Sequence, residues 1–93
     1  MFGRVRFRGV ARSAERRYDR AVKLTVEFAR ETDGRWIAEV PELPGVLVYG
    51  ESRDQALAKV LSLAYSVLAD EVEHGEREAA TLLNVTFDQH EAA

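Results

Sequence analysis

Between Lys23 and Phe28 the sequence K-L-T-V-E-F alternates strictly. Leu24, Val26 and Phe28 fall on one side, Thr25 and Glu27 on the other. A period of two fits a strand with one face in a core and one in water. Glu31-Thr32-Asp33-Gly34 follows, and Asp-Gly between two alternating runs predicts a hairpin. The returning strand, Arg35 to Val40, sets Trp36, Ala38 and Val40 on one face, with Ile37 on the other. A body that opens this way is committed to an antiparallel sheet.

Pro41-Glu42-Leu43-Pro44-Gly45 comes next, a stiff loop that no central strand would tolerate. Val46 to Tyr49 reads as a short third strand stopped at Gly50. Ser52 then opens a helix. Its hydroxyl is placed to cap the backbone three residues on, and Gln55 is placed to reach back to the N–H of Ser52. Asp54 suits the positive end of the dipole, and Gly75 marks the stop after Glu73 or His74. Leu57, Leu61, Ala64, Leu68 and Val72 form a stripe aimed at the sheet. Val60, Leu63 and Val67 widen the apolar arc to roughly 200°, twice the ~100° one sheet face covers. These three are the expected seam of a homo-oligomer, with the edge of the third strand as a second route. Leu82 to Asp88 alternates again, with Leu83, Val85 and Phe87 on one side.

The expected fold class is therefore α+β: a two-layer β-β-β-α-β unit with one helix on a four-stranded mixed sheet. The first three strands form a meander, so the helix returns the chain and the last strand runs parallel to the first. Placing it beside the first gives the order 4-1-2-3. Residues 1–21 form a basic arm, 22–90 the domain, and 91–93 a tail.

Charge is unevenly spread over the 93 residues. Residues 1–22 carry seven arginines against two acids, a net of +5. Residues 23–93 hold six basic groups against fourteen acids, a net of −8. Such a division points to partners rather than to fold. Arg4, Arg6, Arg8, Arg16 and Arg17 are the candidate nucleic-acid contacts, and DNA is expected only through this arm. The chain has no cysteine, which excludes disulfides and thiolate metal sites. No apolar run has the length of a membrane span and the N-terminus lacks the apolar core of a secretory signal, so a cytoplasmic location is expected.

Catalysis requires a constellation of groups, and none is legible. His74 and His90 sit at a helix end and near the terminus, with no spacing suited to a metal. Ser13, Ser52 and Ser66 lack the surroundings of a nucleophile, and the glycines form no phosphate cradle. Glu27 and Glu39 are placed to approach each other on the outer sheet face, where alternation puts charged residues anyway. No enzyme activity, metal or cofactor is expected. Two features stand out as binding candidates. Ile37, Leu47 and Tyr49 fall on the outer sheet face with Glu39, and exposed apolar residues there suit a partner. Asp70, Glu71, Glu73, Glu76 and Glu78 crowd the helix C-terminus, where the dipole prefers cations.

The stretch from Val22 to Glu76 resembles the HicB family of type II toxin–antitoxin antitoxins. V-K-L-T-V-E-F, D-G-R-W-I-A-E-V-P-E-L-P-G-V and Y-G-E-S-R-D-Q-A-L carry the resemblance. Pro41-Glu42-Leu43-Pro44-Gly45, then Gly50, the cap at Ser52, and Ala56 are its strongest part. It implies a partial ribonuclease H-like fold without catalytic activity that binds and blocks a small basic, HicA-like ribonuclease toxin. Ile37, Glu39, Leu47, Tyr49, Asp70 and Glu73 are the expected toxin contacts. Full-length family members add a C-terminal DNA-binding domain, whereas this chain ends five residues after Asp88. The family also starts near the equivalent of Lys23, so the arm is additional. The competing expectations are an orphan structural or oligomerisation domain without a toxin, and an enzyme derived from the nuclease-like fold.

Overall fold

The computed structural model describes residues 22–92. The arm, with Arg4, Arg6, Arg8, Arg16 and Arg17, lies outside the described residues. The elements are β1 (Val22–Arg30), β2 (Trp36–Glu39), β3 (Leu47–Gly50), α1 (Arg53–Glu73), a short 3₁₀ helix (Ala79–Leu83) and β4 (Val85–Glu91). The sheet order is β3-β2-β1-β4, with β4 parallel to β1 and the other pairs antiparallel. This is the expected α+β layout and strand order.

Local chemistry fixes each junction. The hairpin closes as Glu31 N–H donates to Arg35 O at 2.7 Å, with Gly34 at φ 95°, a conformation that favours glycine. At the Pro-rich loop β2 has to stop, because Pro41 has no N–H to give β1. Glu42 takes over: its carboxylate accepts from Thr25 N–H at 3.0 Å and from Thr25 Oγ1 at 2.9 Å. Ser52 Oγ accepts from Gln55 N–H at 3.1 Å, capping α1. Gln55 Oε1 accepts from Glu51 N–H at 2.7 Å, one residue before the expected donor. Gly75, at φ 77°, ends the helix in a full Schellman arrangement. Its N–H donates to Val72 O, and Glu76 N–H to Glu71 O.

Leu24, Val26 and Phe28 of β1 face α1, together with Ala38, Val40, Leu43 and Val46. The helix meets them along Ala56, Val60, Ala64 and Leu68. That line is rotated from the expected stripe: Leu57, Leu61 and Val72 are half-buried. Close approach explains the rotation. A Cβ on Gly50 would lie 2.6 Å from Ala56 N, so β3 and the first helical turn pack backbone to backbone. A helix sunk this deep presents its small residues to the sheet centre, and larger ones fill both flanks.

The chain after the helix departs from the sequence reading. Leu82 and Leu83 belong to the 3₁₀ helix, so β4 starts at Val85. Leu82, Val85 and Phe87 pack on the core, but Leu83 is 65% exposed, contrary to its expected inward position. The 3₁₀ turn breaks the alternation and frees Leu83 from the strand's phase. The strand also runs further than expected: Glu91 is within β4, and Ala92 N–H donates to Phe28 O at 2.7 Å. Arg53 anchors this end, bonding Glu91 at 2.6 Å and Gln89 at 3.2 Å with its guanidinium 3.9 Å from the Phe28 ring centre.

Candidate binding surfaces

One sheet face is covered by α1 and the other has no covering element among the described residues. The register orders the open face in rows. One row is Tyr49, Ile37 and Ala29; the next is Leu47, Glu39, Glu27 and His90; beyond these Thr25 stands beside Asp88. Leu47 is 43% and Tyr49 42% exposed, and Ile37 is half-buried between its neighbours. The outcome is an apolar strip on the β3–β2 side that runs into carboxylates on the β1 side. Glu27 lies directly across from Glu39, a like-charged pair that costs stability and that solvent must screen.

The strip has a polar margin. Arg35 lies over the Tyr49 ring, 4.6 Å from its centre, and pairs with Asp33 at 2.9 Å. The Asp33 carboxyl is held below its ordinary value, chiefly by the Arg35 backbone N–H it accepts. For Glu42, partial desolvation raises the carboxyl, but the Thr25 N–H and hydroxyl bonds outweigh it and the net direction is down. Glu42 is therefore a strand cap rather than a contact residue. The sequence hint was Pro41, which marks where β1 loses a ladder partner, though nothing local names Thr25.

The six expected toxin contacts divide between two surfaces. Ile37, Glu39, Leu47 and Tyr49 lie together on the open face. Asp70 and Glu73 lie on α1, which packs on the opposite face, so they do not share that surface. The helix end is also internally engaged. His74 Nδ1 lies 2.8 Å from Asp70 O and 3.4 Å from its carboxylate, and Arg77 bonds Glu71 at 2.7 Å. The Arg77 guanidinium near the C-terminus thus answers part of the acidity there.

The expected oligomer seam needs correction. Val60 is 0% exposed, part of the core centre, and is not available to a second chain. Leu63 and Val67 are half-buried against the same core. The depth of the helix thus accounts for Val60. Among the described residues no three His, Asp or Glu side chains gather to hold a metal ion, and no helix is long and apolar enough to cross a membrane. Set against known protein families, curated proteins and solved structures, the chain matches none of them.

Proposed function

We propose that this chain is a HicB-like antitoxin module that binds and neutralises a small basic ribonuclease toxin through its open sheet face. The carrying observation is the strip on the uncovered face, with Tyr49 and Leu47 exposed, Ile37 half-buried between its neighbours, and Glu39 and Glu27 continuing it. An aromatic and aliphatic centre with a charged margin is the composition of a protein contact surface. The acids stand where a basic nuclease would otherwise hold phosphates, and the −8 body draws such a partner in by long-range attraction. The resemblance of Val22–Glu76 supports the same reading.

Neutralisation needs no chemistry from this chain. Occupying the basic RNA-binding surface is enough to block cleavage, and the exposed carboxylates make the association sensitive to salt. The test is co-expression with a small basic protein encoded beside the chain's gene, read as relief of growth arrest and as loss of RNA cleavage in vitro. Tyr49→Ala with Leu47→Ala is expected to weaken the complex at least about tenfold while the circular dichroism spectrum is retained. A neighbour that the chain neither binds nor inhibits would overturn the proposal and leave the orphan structural domain.

A further inference from the structure

The two edges of the sheet are not equivalent. On β3, Val40 N–H donates to Val46 O, a phase that turns Leu47 and Tyr49 backbone groups outward. Lys59 Nζ donates to Tyr49 O at 2.9 Å, so this four-residue edge is short and guarded by a lysine. On β4, Val22 N–H donates to Asn84 O and Ala92 N–H to Phe28 O. In a parallel ladder that phase turns the even-numbered residues toward β1. The N–H and C=O groups of Val85, Phe87, Gln89 and Glu91 consequently point away from the sheet, and no described residue bonds them. The helix packs chiefly over β2 and β3, so β4 is also the thinly covered end of the two layers. Tyr65, 45% exposed, leans edge-on over Phe87 there.

The side chains on this edge suggest what fits it. The outer face of β4 carries Thr86, Asp88 and His90, and the ladder puts Glu27 beside His90, with Glu39 beyond. A second copy meeting the edge antiparallel must keep faces matched, which limits the centre of pairing near the strand's middle to Phe87, Asp88 or Gln89. Centring on Asp88 sets two carboxylates against each other, which is repulsive. Centring on Phe87 sets Asp88 against Thr86 and leaves His90 without a carboxylate across the seam. Centring on Gln89 sets Asp88 opposite the partner's His90, twice by symmetry. Each imidazole then lies between Glu27 of its own β1 and the partner's Asp88.

We propose that β4 pairs antiparallel with β4 of a second copy about a two-fold axis at Gln89, joining two sheets into one. The interface is isologous, as closed symmetry requires, and it satisfies the outward backbone groups of Phe87, Gln89 and Glu91. It lies at the opposite edge from β3, so its success or failure is independent of the toxin-binding proposal. The charged groups facing the His90 ring are Glu27 from β1, Asp88 along its own strand and the partner's Asp88, with Glu39 one strand further. The imidazole thus meets hydrogen-bond acceptors on both sides of the seam.

Sedimentation velocity of the full chain is the test. The expected result is a dimer. Asp88→Lys, which replaces the acceptor opposite the partner's His90 with a bulky donor, is expected to give a folded monomer. The chain has no cysteine, so Gln89→Cys introduces a unique thiol at the axis. A hydrogen-bonded antiparallel pair holds Cα atoms about 5.5 Å apart, within disulfide reach. Gln89→Cys is therefore expected to link the dimer on mild oxidation. A wild-type monomer, a dimer insensitive to Asp88→Lys, or cross-linking through Phe87→Cys instead of Gln89→Cys would each overturn the proposal.

Discussion

Adding one methyl group at Gly50 tests how closely the helix is seated. The backbone there permits a side chain, since Gly50 is not at positive φ. Elsewhere, replacing such a glycine with alanine stabilises by about 0.4–1 kcal/mol, because the unfolded chain loses freedom. Here the new Cβ would sit 2.6 Å from Ala56 N, 2.9 Å from its Cα and 3.1 Å from its Cβ, against the 3.5–4.0 Å typical of carbon contacts. Overpacking of this kind costs about 1–3 kcal/mol. The net expectation for Gly50→Ala runs from no gain to a loss of about 2.6 kcal/mol, or up to roughly 20 °C in Tm for a domain this small. Adding Ala56→Gly removes only the 3.1 Å contact, because the two nearer atoms are backbone. It also costs about 1 kcal/mol of helix propensity, so the double variant should be no more stable than the single. Thermal and urea unfolding followed by far-UV circular dichroism give the numbers. Gly34→Ala is the control: it meets nothing within 4 Å but sits at φ 95°, so its loss of about 1–3 kcal/mol is purely backbone strain. A Gly50→Ala chain stabilised by the full amount, about 0.4–1 kcal/mol, would refute the close approach of β3 and α1.

Three further outcomes are expected. Leu68→Ala empties a fully buried site on α1 and should cost about 2–5 kcal/mol, enough to unfold much of so small a domain, as urea titration would show. Ser52→Ala removes the cap that accepts from Gln55 and should cost about 0.5–2 kcal/mol in the same assay. Glu42 in its charged form accepts both Thr25 donors and is held below its ordinary value, so its contribution is complete above the unfolded carboxylate range and is lost as pH falls through the folded value. Glu42→Gln keeps an acceptor but no titration, so acid unfolding below about pH 4.5 should be shallower in that variant than in wild type.

What the sequence disclosed was what local rules govern. The alternation of Lys23–Phe28 survives in β1 because a strand with one wet face has no other stable phase. Asp33-Gly34, Ser52 and Gly75 each act within four residues, and each sits in the role its chemistry predicts. The centre of the helix face was legible only in part. Ala64 and Leu68 of the expected stripe are at the centre, but hydrophobicity ranks Leu57 and Leu61 above Ala56, whereas a backbone contact at Gly50 makes the small residue the one that fits. The same contact turned Val60 from a candidate seam into core. Leu83 was misplaced because an apolar pair leads into β4 without showing where the 3₁₀ turn ends. Glu42 and His90 owe their places to partners seventeen or more residues away, Thr25 and Glu27. No local pattern encodes such a meeting.

Every fully buried hydrophobic among the described residues lies between Leu24 and Leu68. During synthesis from the N-terminus, the inner core and its helix therefore leave the ribosome ahead of β4. The last strand is laid against a body that can already close, and it contributes backbone pairing more than apolar burial. Such a strand belongs to the low-stability end of local opening, where amide hydrogens exchange first. Each excursion of β4 uncovers β1, the longest strand of the sheet, with its backbone donors and acceptors bare on one side. The fold thus keeps a long, aggregation-prone template behind the strand that follows the core in the chain, with the Arg53 bonds to Gln89 and Glu91 as its latch.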